Sequence, residues 1–269
     1  MAVKMIGLDL DGTLLKKDQT IGAETFKQLM KAKESGIKLV VVSGRPLSGV
    51  DFVLKKLKLS GVDEYAITFN GGIVQNLSGK VMAENVLDYM DYQKMQMIAD
   101  RFNSRFHYET LNRFYTGDHQ LNMSIIHESD LVHMPITIFE RGEVDSNLKF
   151  LKGMYTGTKA SIENLYPEVA DQLKENYAVS QSGPDMIEVN AQRATKGIAL
   201  QQLCQKLGFS SKEVMIFGDQ KNDCSMFEVS DFYKVAMGNA IDEIKEHADF
   251  VTRSNEHNGI AYALKELVL

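Results

Sequence analysis

Two acidic clusters hold the residue types best suited to chemistry in this 269-residue chain. Asp9-Leu10-Asp11-Gly12-Thr13 follows an apolar run, and Gly218-Asp219-Gln220-Lys221-Asn222-Asp223 follows another at 214–217. In open parallel sheets, ligands bind in the crevice at the carboxyl ends of the strands, which is where both clusters would project. If the two strands are neighbours, four carboxylates (Asp9, Asp11, Asp219, Asp223) crowd one crevice and raise one another's pKa, unless a cation neutralises them. Hard oxygen donors select Mg²⁺ over zinc or copper, and Mg²⁺ takes one or two carboxylates plus a substrate phosphate. The blander readings are a turn at Asp11-Gly12 and a solvated helix N-terminus at 219–223. The pairing of the clusters after strands favours Mg²⁺ and an anionic small-molecule substrate.

Two further pieces suit a phosphate cradle. Ser43-Gly44 closes a second apolar run and precedes a helix start, so a hydroxyl and free backbone N–H groups can face an anion. Lys196, just after Thr195 at another helix start, adds a compact positive charge.

The elements that must position these groups read as an α/β fold, a Rossmann-like parallel sheet core with an inserted α+β cap domain. Short aliphatic runs alternate with helical periodicity, as when crossover helices cover a parallel sheet. Strands are expected at 3–9, 37–42 and 65–69, with a helix at 22–35 stopped by Gly36 and another opened by Pro46. After Asn70-Gly71-Gly72 the texture changes to a hairpin, 73–75 and 80–82, where the sheet is interrupted. From 83 to 187 helical patterns at 89–102 and 161–175 mix with alternating pieces at 105–109 and 135–139. The parallel texture resumes at 186–189, followed by a helix at 196–207, a strand at 213–217, a helix ending before Asp231, and short strands near 233–237 and 249–251. The domains are therefore 1–82 with 188–269 as core, and 83–187 as cap.

Composition narrows the partners. With 44% apolar residues the chain can bury real cores, and 30 Lys+Arg against 36 Asp+Glu, net −6, runs against a nucleic-acid binder. The longest aliphatic run, 39–42, has four residues against the roughly 20 a bilayer span needs, so no membrane is expected. Asp9 and Asp11 interrupt any secretory signal, and Cys204 and Cys224 are too few for a disulfide framework, which together point to the cytoplasm. His107, His119, His127 and His133 fit no zinc-ligand spacing, Met90, Met95 and Met97 read as core filler, and Cys224 has no basic neighbour to make it a thiolate. The run Lys55-Lys56-Leu57-Lys58 reads as a solvated face.

The ordered set Asp9-Leu10-Asp11-Gly12-Thr13, Ser43-Gly44-Arg45, Lys196-Gly197 and Gly218 through Asp223 resembles the haloacid dehalogenase superfamily. With Ala236-Met237-Gly238-Asn239-Ala240 and Asn258-Gly259-Ile260-Ala261, the resemblance extends to its Cof-type phosphatases. The resemblance covers 1–82 and 188–269, and implies a cap inserted between the serine and lysine motifs. It implies Mg²⁺-dependent hydrolysis of small phosphorylated metabolites, sugar phosphates above all, through an aspartyl-phosphate on Asp9, with Asp11 as general acid and base. By the same resemblance Mg²⁺ is held by Asp9, Asp219 and the Asp11 carbonyl, with Asp223 supporting metal waters. Ser43, Gly44, Lys196 and Asn222 bind the phosphoryl oxygens, and Asn70 and Arg45 lie near the substrate. Departures fall at Ala194, where a larger aliphatic residue is usual, and at 151–158, where Gly153 and Gly157 stand in place of a more regular strand and helix start. The alternatives are a sugar phosphomutase using the same aspartyl-phosphate and a phospho-ligand sensor without turnover. Oligomeric state is not legible.

Overall fold

A computed structural model describes residues 3–268. The chain forms two compact units, one from the segments ending at Gly44, Val50–Glu84 and Thr195 onward, the other from Arg45–Gly49 and Asn85–Ala194.

The first unit is built on an eight-stranded sheet in the order Phe250–Val251, Tyr233–Ala236, Val214–Gly218, Met5–Leu8, Lys38–Val42, Gly61–Thr68, Ile73–Leu77, Val81–Glu84. The first six strands are parallel; the last two reverse direction in turn. Met5–Leu8 is central, and all four of its residues are buried, which is why its sequence is continuously apolar rather than alternating. Leu8 pairs with Phe217 on one side and Val41 on the other, so the chains leaving these three strands emerge side by side. Helix Ala23–Glu34 packs on Gly259–Leu267, and Lys196–Leu207 lies against Gly7, where a Cβ would come within 3.0 Å of Leu200.

The second unit carries a six-stranded sheet ordered Tyr177–Gly183, Met186–Ala191, Lys152–Thr156, Arg105–Glu109, Phe114–Thr116, Ile136–Ile138, antiparallel except for its last pair. Strand periodicity sorts its faces. Phe106, Tyr108, Tyr155, Ile187 and Val189 pack with Met95 and Ile98 of helix Tyr89–Arg101 and with Ile162, Leu165 and Val169 of helix Lys159–Leu173. The register puts His107, Glu109, Lys152, Glu188 and Asn190 on the opposite face. There Lys152 Nζ lies 3.0 Å from Glu109 Oε1 and 3.5 Å from Glu188 Oε1, with Glu109 and Lys152 almost wholly buried. Burial pushes the Glu109 carboxyl up to about 8 against the pull of Lys152, and holds the His107 imidazole down at about 3.

Several expectations are corrected. Residues 186–189 do not resume the parallel sheet: Met186–Ala191 runs antiparallel between two strands of the second unit, so the junction lies at Ala194/Thr195 rather than at 188. Alternating aliphatic residues mark a strand but not its direction. The hairpin after Gly72 does not interrupt the sheet but widens it by two strands, which carries the first junction to Glu84 rather than 82. The third strand begins at Gly61, and Phe69, expected within it, takes φ 52° in the following turn. Segment 151–158 is regular: Lys152–Thr156 is a full strand, Gly153 makes room for Met95 and Phe106, and Thr158 caps the next helix. Helix Met123–Val132 was not anticipated, because only Ile125 and Val132 of it are buried and the rest gives no apolar stripe. No helix among the described residues is long and apolar enough to cross a membrane.

Candidate active site

Parallel pairing brings the first acidic residues together. Asp9 follows Met5–Leu8 and donates its backbone N–H to Phe217 O (3.2 Å), so Asp9 and Asp219 leave adjacent strands at one edge. Asp9, Asp219 and Asp223 are buried, and each offers a carboxylate oxygen within 4.8 Å of the others. Lys196 Nζ donates to Asp9 Oδ1 and Asp223 Oδ1, both at 2.7 Å. The ammonium is 0% exposed, which is tolerable only because two carboxylates face it.

Local sequence explains how Lys196 reaches this depth. Thr195 caps helix Lys196–Leu207 by accepting from Ile198 N at 3.3 Å, which places Lys196 in its first turn. Gly197 donates to Ser225 Oγ (3.1 Å), and any Cβ there would overlap the Ser225 carbonyl. Gly71, at φ +100°, likewise lies where a Cβ would overlap the Thr195 carbonyl. These two glycines let the helix end approach its neighbours closely enough to deliver the ammonium.

The second acidic loop is braced from within. Asp223 Oδ2 accepts from the backbone N–H of Asp219 (2.8 Å) and of Gln220 (3.1 Å), while its Oδ1 accepts from Lys196. Both Asp223 oxygens are thus engaged in holding the loop and the ammonium. Thr13 Oγ1 donates to Asp219 Oδ1 at 2.7 Å, tying the first loop to the second, and Gly12, at φ +82°, has no room for a Cβ beside the Asp219 carboxylate.

The charges do not balance. Burial, reinforced by Asp223 and opposed by Lys196, holds the Asp9 carboxyl well above the usual carboxylate range. Burial also pushes Asp219 up to about 6 in spite of the Thr13 hydrogen bond, with Asp223 adding repulsion. Burial works against charge on Lys196, but Asp223 and Asp9 outweigh it and raise its pKa. One cation facing three buried carboxylates leaves negative potential that a further hard cation would neutralise, so the donor set fits Mg²⁺.

The other expected residues fall into groups. Ser43 is buried directly after Lys38–Val42, its carbonyl accepting from Asn70 N at 3.0 Å. Gly44 has no side chain where a Cβ would lie 2.9 Å from Asn70 Oδ1, so Ser43, Gly44 and Asn70 form one turn assembly at the carboxyl edge. Asn70 itself sits at φ 54° in the turn Phe69–Gly71. Asp11 and Asn222 lie on the loops bearing Asp9 and Asp219 and are exposed. Arg45 falls in the second unit, with Nη1 3.5 Å from Gly49 O. Thr13, Gly71, Gly197 and Asn239 carried no role in the sequence reading. Of these, Asn239 entered only as part of the motif 236–240, and a role could have been read from its place, since it too follows a parallel strand at its carboxyl end.

The model for haloacid dehalogenase-like hydrolases matches residues 6–264, and the chain belongs to that family. It is 33% identical over 267 residues to YxeH of Bacillus subtilis (strain 168), covering 99% of this chain and 98% of the relative. It is 30% identical over 269 residues to YcsE of the same organism, named a 5-amino-6-(5-phospho-D-ribitylamino)uracil phosphatase, covering 99% and 96%. A crystal structure of a haloacid dehalogenase-like hydrolase from Bacteroides thetaiotaomicron superposes with a TM-score of 0.86 at 28% identity, covering 98% of this chain and 99% of that one. With this membership the chain is a phosphoric monoester hydrolase.

Proposed function

We propose that the protein hydrolyses small phosphorylated metabolites carrying a polyhydroxylated group, sugar phosphates above all, with Mg²⁺, through an aspartyl-phosphate on Asp9. The observation that carries this reading is a buried Asp9 carboxylate held at 2.7 Å by Lys196 beside two further buried acids. YcsE, whose name records a phosphoester on a ribityl chain, supports the substrate class.

In the first step an Asp9 oxygen bonds to phosphorus while the phosphorus–oxygen bond to the leaving group breaks, and Asp11 gives that oxygen its proton. Exposure of Asp11, two residues beyond a buried Asp9, suits a group that must meet leaving groups and water in turn. In the second step Asp11 takes a proton from water, the water oxygen bonds to phosphorus, and the Asp9–phosphorus bond breaks to release phosphate. Lys196 keeps Asp9 oriented and supplies fixed positive charge, with the hydroxyl of Ser43, the N–H of Gly44 and the amide of Asn222 as further donors for the phosphoryl oxygens. Mg²⁺, held by Asp9, Asp219 and the Asp11 carbonyl, would neutralise charge on the phosphoryl group. Together these groups must supply on the order of 20 kcal/mol for a phosphate monoester. The inserted unit sets which phosphoester is accepted, and the two free thiols, Cys204 and Cys224, suit a cytoplasmic setting.

The test is Asp9→Asn assayed by phosphate release from an aryl phosphate with Mg²⁺. Loss of turnover in a folded variant is expected; wild-type turnover would remove Asp9 as the nucleophile.

A further inference from the structure

Asn239 belongs to none of the roles assigned so far, yet it joins three segments that are distant in sequence. Its Nδ2 donates to Gly12 O at 2.8 Å and lies 3.4 Å from Asp219 Oδ2. Its Oδ1 accepts from the backbone N–H of Asn255 at 3.0 Å. That backbone donor fixes the orientation of the amide: Oδ1 must face Asn255, so the NH₂ group must face Gly12 and Asp219. Asn255 in turn donates through Nδ2 to Leu15 O at 2.7 Å, at the far end of the same first loop.

The loop carrying Asn239 is itself fastened to the second acidic segment. Met237 N donates to Gly218 O (3.1 Å) and Ile241 N to Asp219 O (3.0 Å), so the backbone on both sides of Asn239 is tied to Gly218–Asp219 rather than free. In the first loop Gly12 has no Cβ and sits at φ +82°, and the peptide joining it to Thr13 is held on its N–H side, where Thr13 N donates to Leu10 O at 3.2 Å. Thr13 fixes the far side of that peptide through Asp219 Oδ1, and Asn239 fixes the carbonyl.

We propose that Asn239 is a positioning residue for the divalent-cation site, clamping the peptide between Gly12 and Thr13 against Asp219 so that the neighbouring Asp11 carbonyl and the Asp219 carboxylate keep one geometry. This rests on the reading of the acidic cluster as a Mg²⁺ site. Asn239 is exposed, so its hydrogen bonds add little to global stability. What they supply is local order, and partners behind metal ligands typically change affinity by about 10–100-fold.

The experiment titrates Mg²⁺ into metal-free wild type, Asn239→Ala and Asn76→Ala by calorimetry, and records the melting temperature of each without metal. Asn76 is a buried amide closing the turn after Ile73–Leu77, donating to Val62 O and accepting from Ser78 N and Lys80 N, so it reports stability loss without any tie to the acidic loops. Asn239→Ala is expected to weaken Mg²⁺ binding by about tenfold, the low end of that range, with its metal-free melting temperature close to wild type. Asn76→Ala is expected to melt earlier and bind Mg²⁺ as wild type does. Asn239→Ala binding Mg²⁺ within about twofold of wild type would overturn the inference alone. An affinity loss shared by Asn76→Ala would overturn it too, since general loosening would then explain both. A wild-type protein that binds no Mg²⁺ would overturn the cation reading, and the inference with it.

Discussion

Lowering the pH from 7 to 5 is expected to weaken Mg²⁺ binding by roughly tenfold, because protons and the cation compete for the same carboxylates. Asp219 sets the size of the effect, since burial pushes it up to about 6. At that value about nine in ten molecules have Asp219 ionised at pH 7 and about one in ten at pH 5. A carboxyl at its ordinary 3.8 would stay at least about 90% ionised throughout. The ratio of about nine corresponds to about 1.3 kcal/mol, and Asp9, raised by its burial, adds in the same direction. Stability follows the opposite sign. A carboxyl whose pKa is raised on folding contributes stability that is complete below about 3.8 and is lost as the pH climbs through about 6. Mg²⁺ is therefore expected to raise the melting temperature more at pH 7.5 than at pH 5. Calorimetric titration of the metal-free protein at pH 7, 6 and 5, at constant ionic strength, measures the effect. Thr13→Val removes the hydroxyl that donates to Asp219 Oδ1 at 2.7 Å, and should move the loss of affinity to higher pH. An affinity that changes by less than about twofold between pH 7 and 5 would refute the reasoning, as would a Thr13→Val shift towards lower pH.

Two further outcomes are expected. Lys152→Met strips the ammonium from between Glu109 and Glu188 and should cost about 3–5 kcal/mol in urea unfolding, whereas Lys152→Met with Glu109→Gln should recover most of it; a single variant as stable as wild type would show that the buried ion pair contributes nothing. Gly197→Ala would drive a Cβ into the Ser225 carbonyl, so it should destabilise by about 1–3 kcal/mol and lower kcat by displacing Lys196 from Asp9, and unchanged kcat in the folded variant would count against that linkage.

The charged centre was legible because its parts obey one rule: Asp9, Ser43 and Asp219 each follow the end of a strand whose unbroken apolar run marks it as buried on both faces. Helix Lys196–Leu207 was legible to the residue, since Thr195 caps it and Gly208, at φ +69°, ends it. The bracing was not legible. Gly71 and Gly197 matter through what a Cβ would strike in segments far along the chain, and nothing local to a glycine names that neighbour. Strand direction was hidden for a related reason: Ile187 and Val189 alternate equally well in a parallel or an antiparallel strand. The polar face of the second sheet was hidden because His107, Glu109 and Lys152 look like solvent-facing strand residues until the fold buries them.

The two antiparallel strands at one margin of the first sheet have a consequence for how such a protein can change. By reversing the chain twice, Ile73–Leu77 and Val81–Glu84 release it at the same edge that bears Asp9, and Thr195 takes it up again beside Gly71. Asp9, Asp219, Asp223 and Lys196 all lie outside the span so released. Descendants can therefore rewrite residues 85–194, the span proposed above to choose the phosphoester, while inheriting Asp9, Asp219, Asp223 and Lys196 untouched.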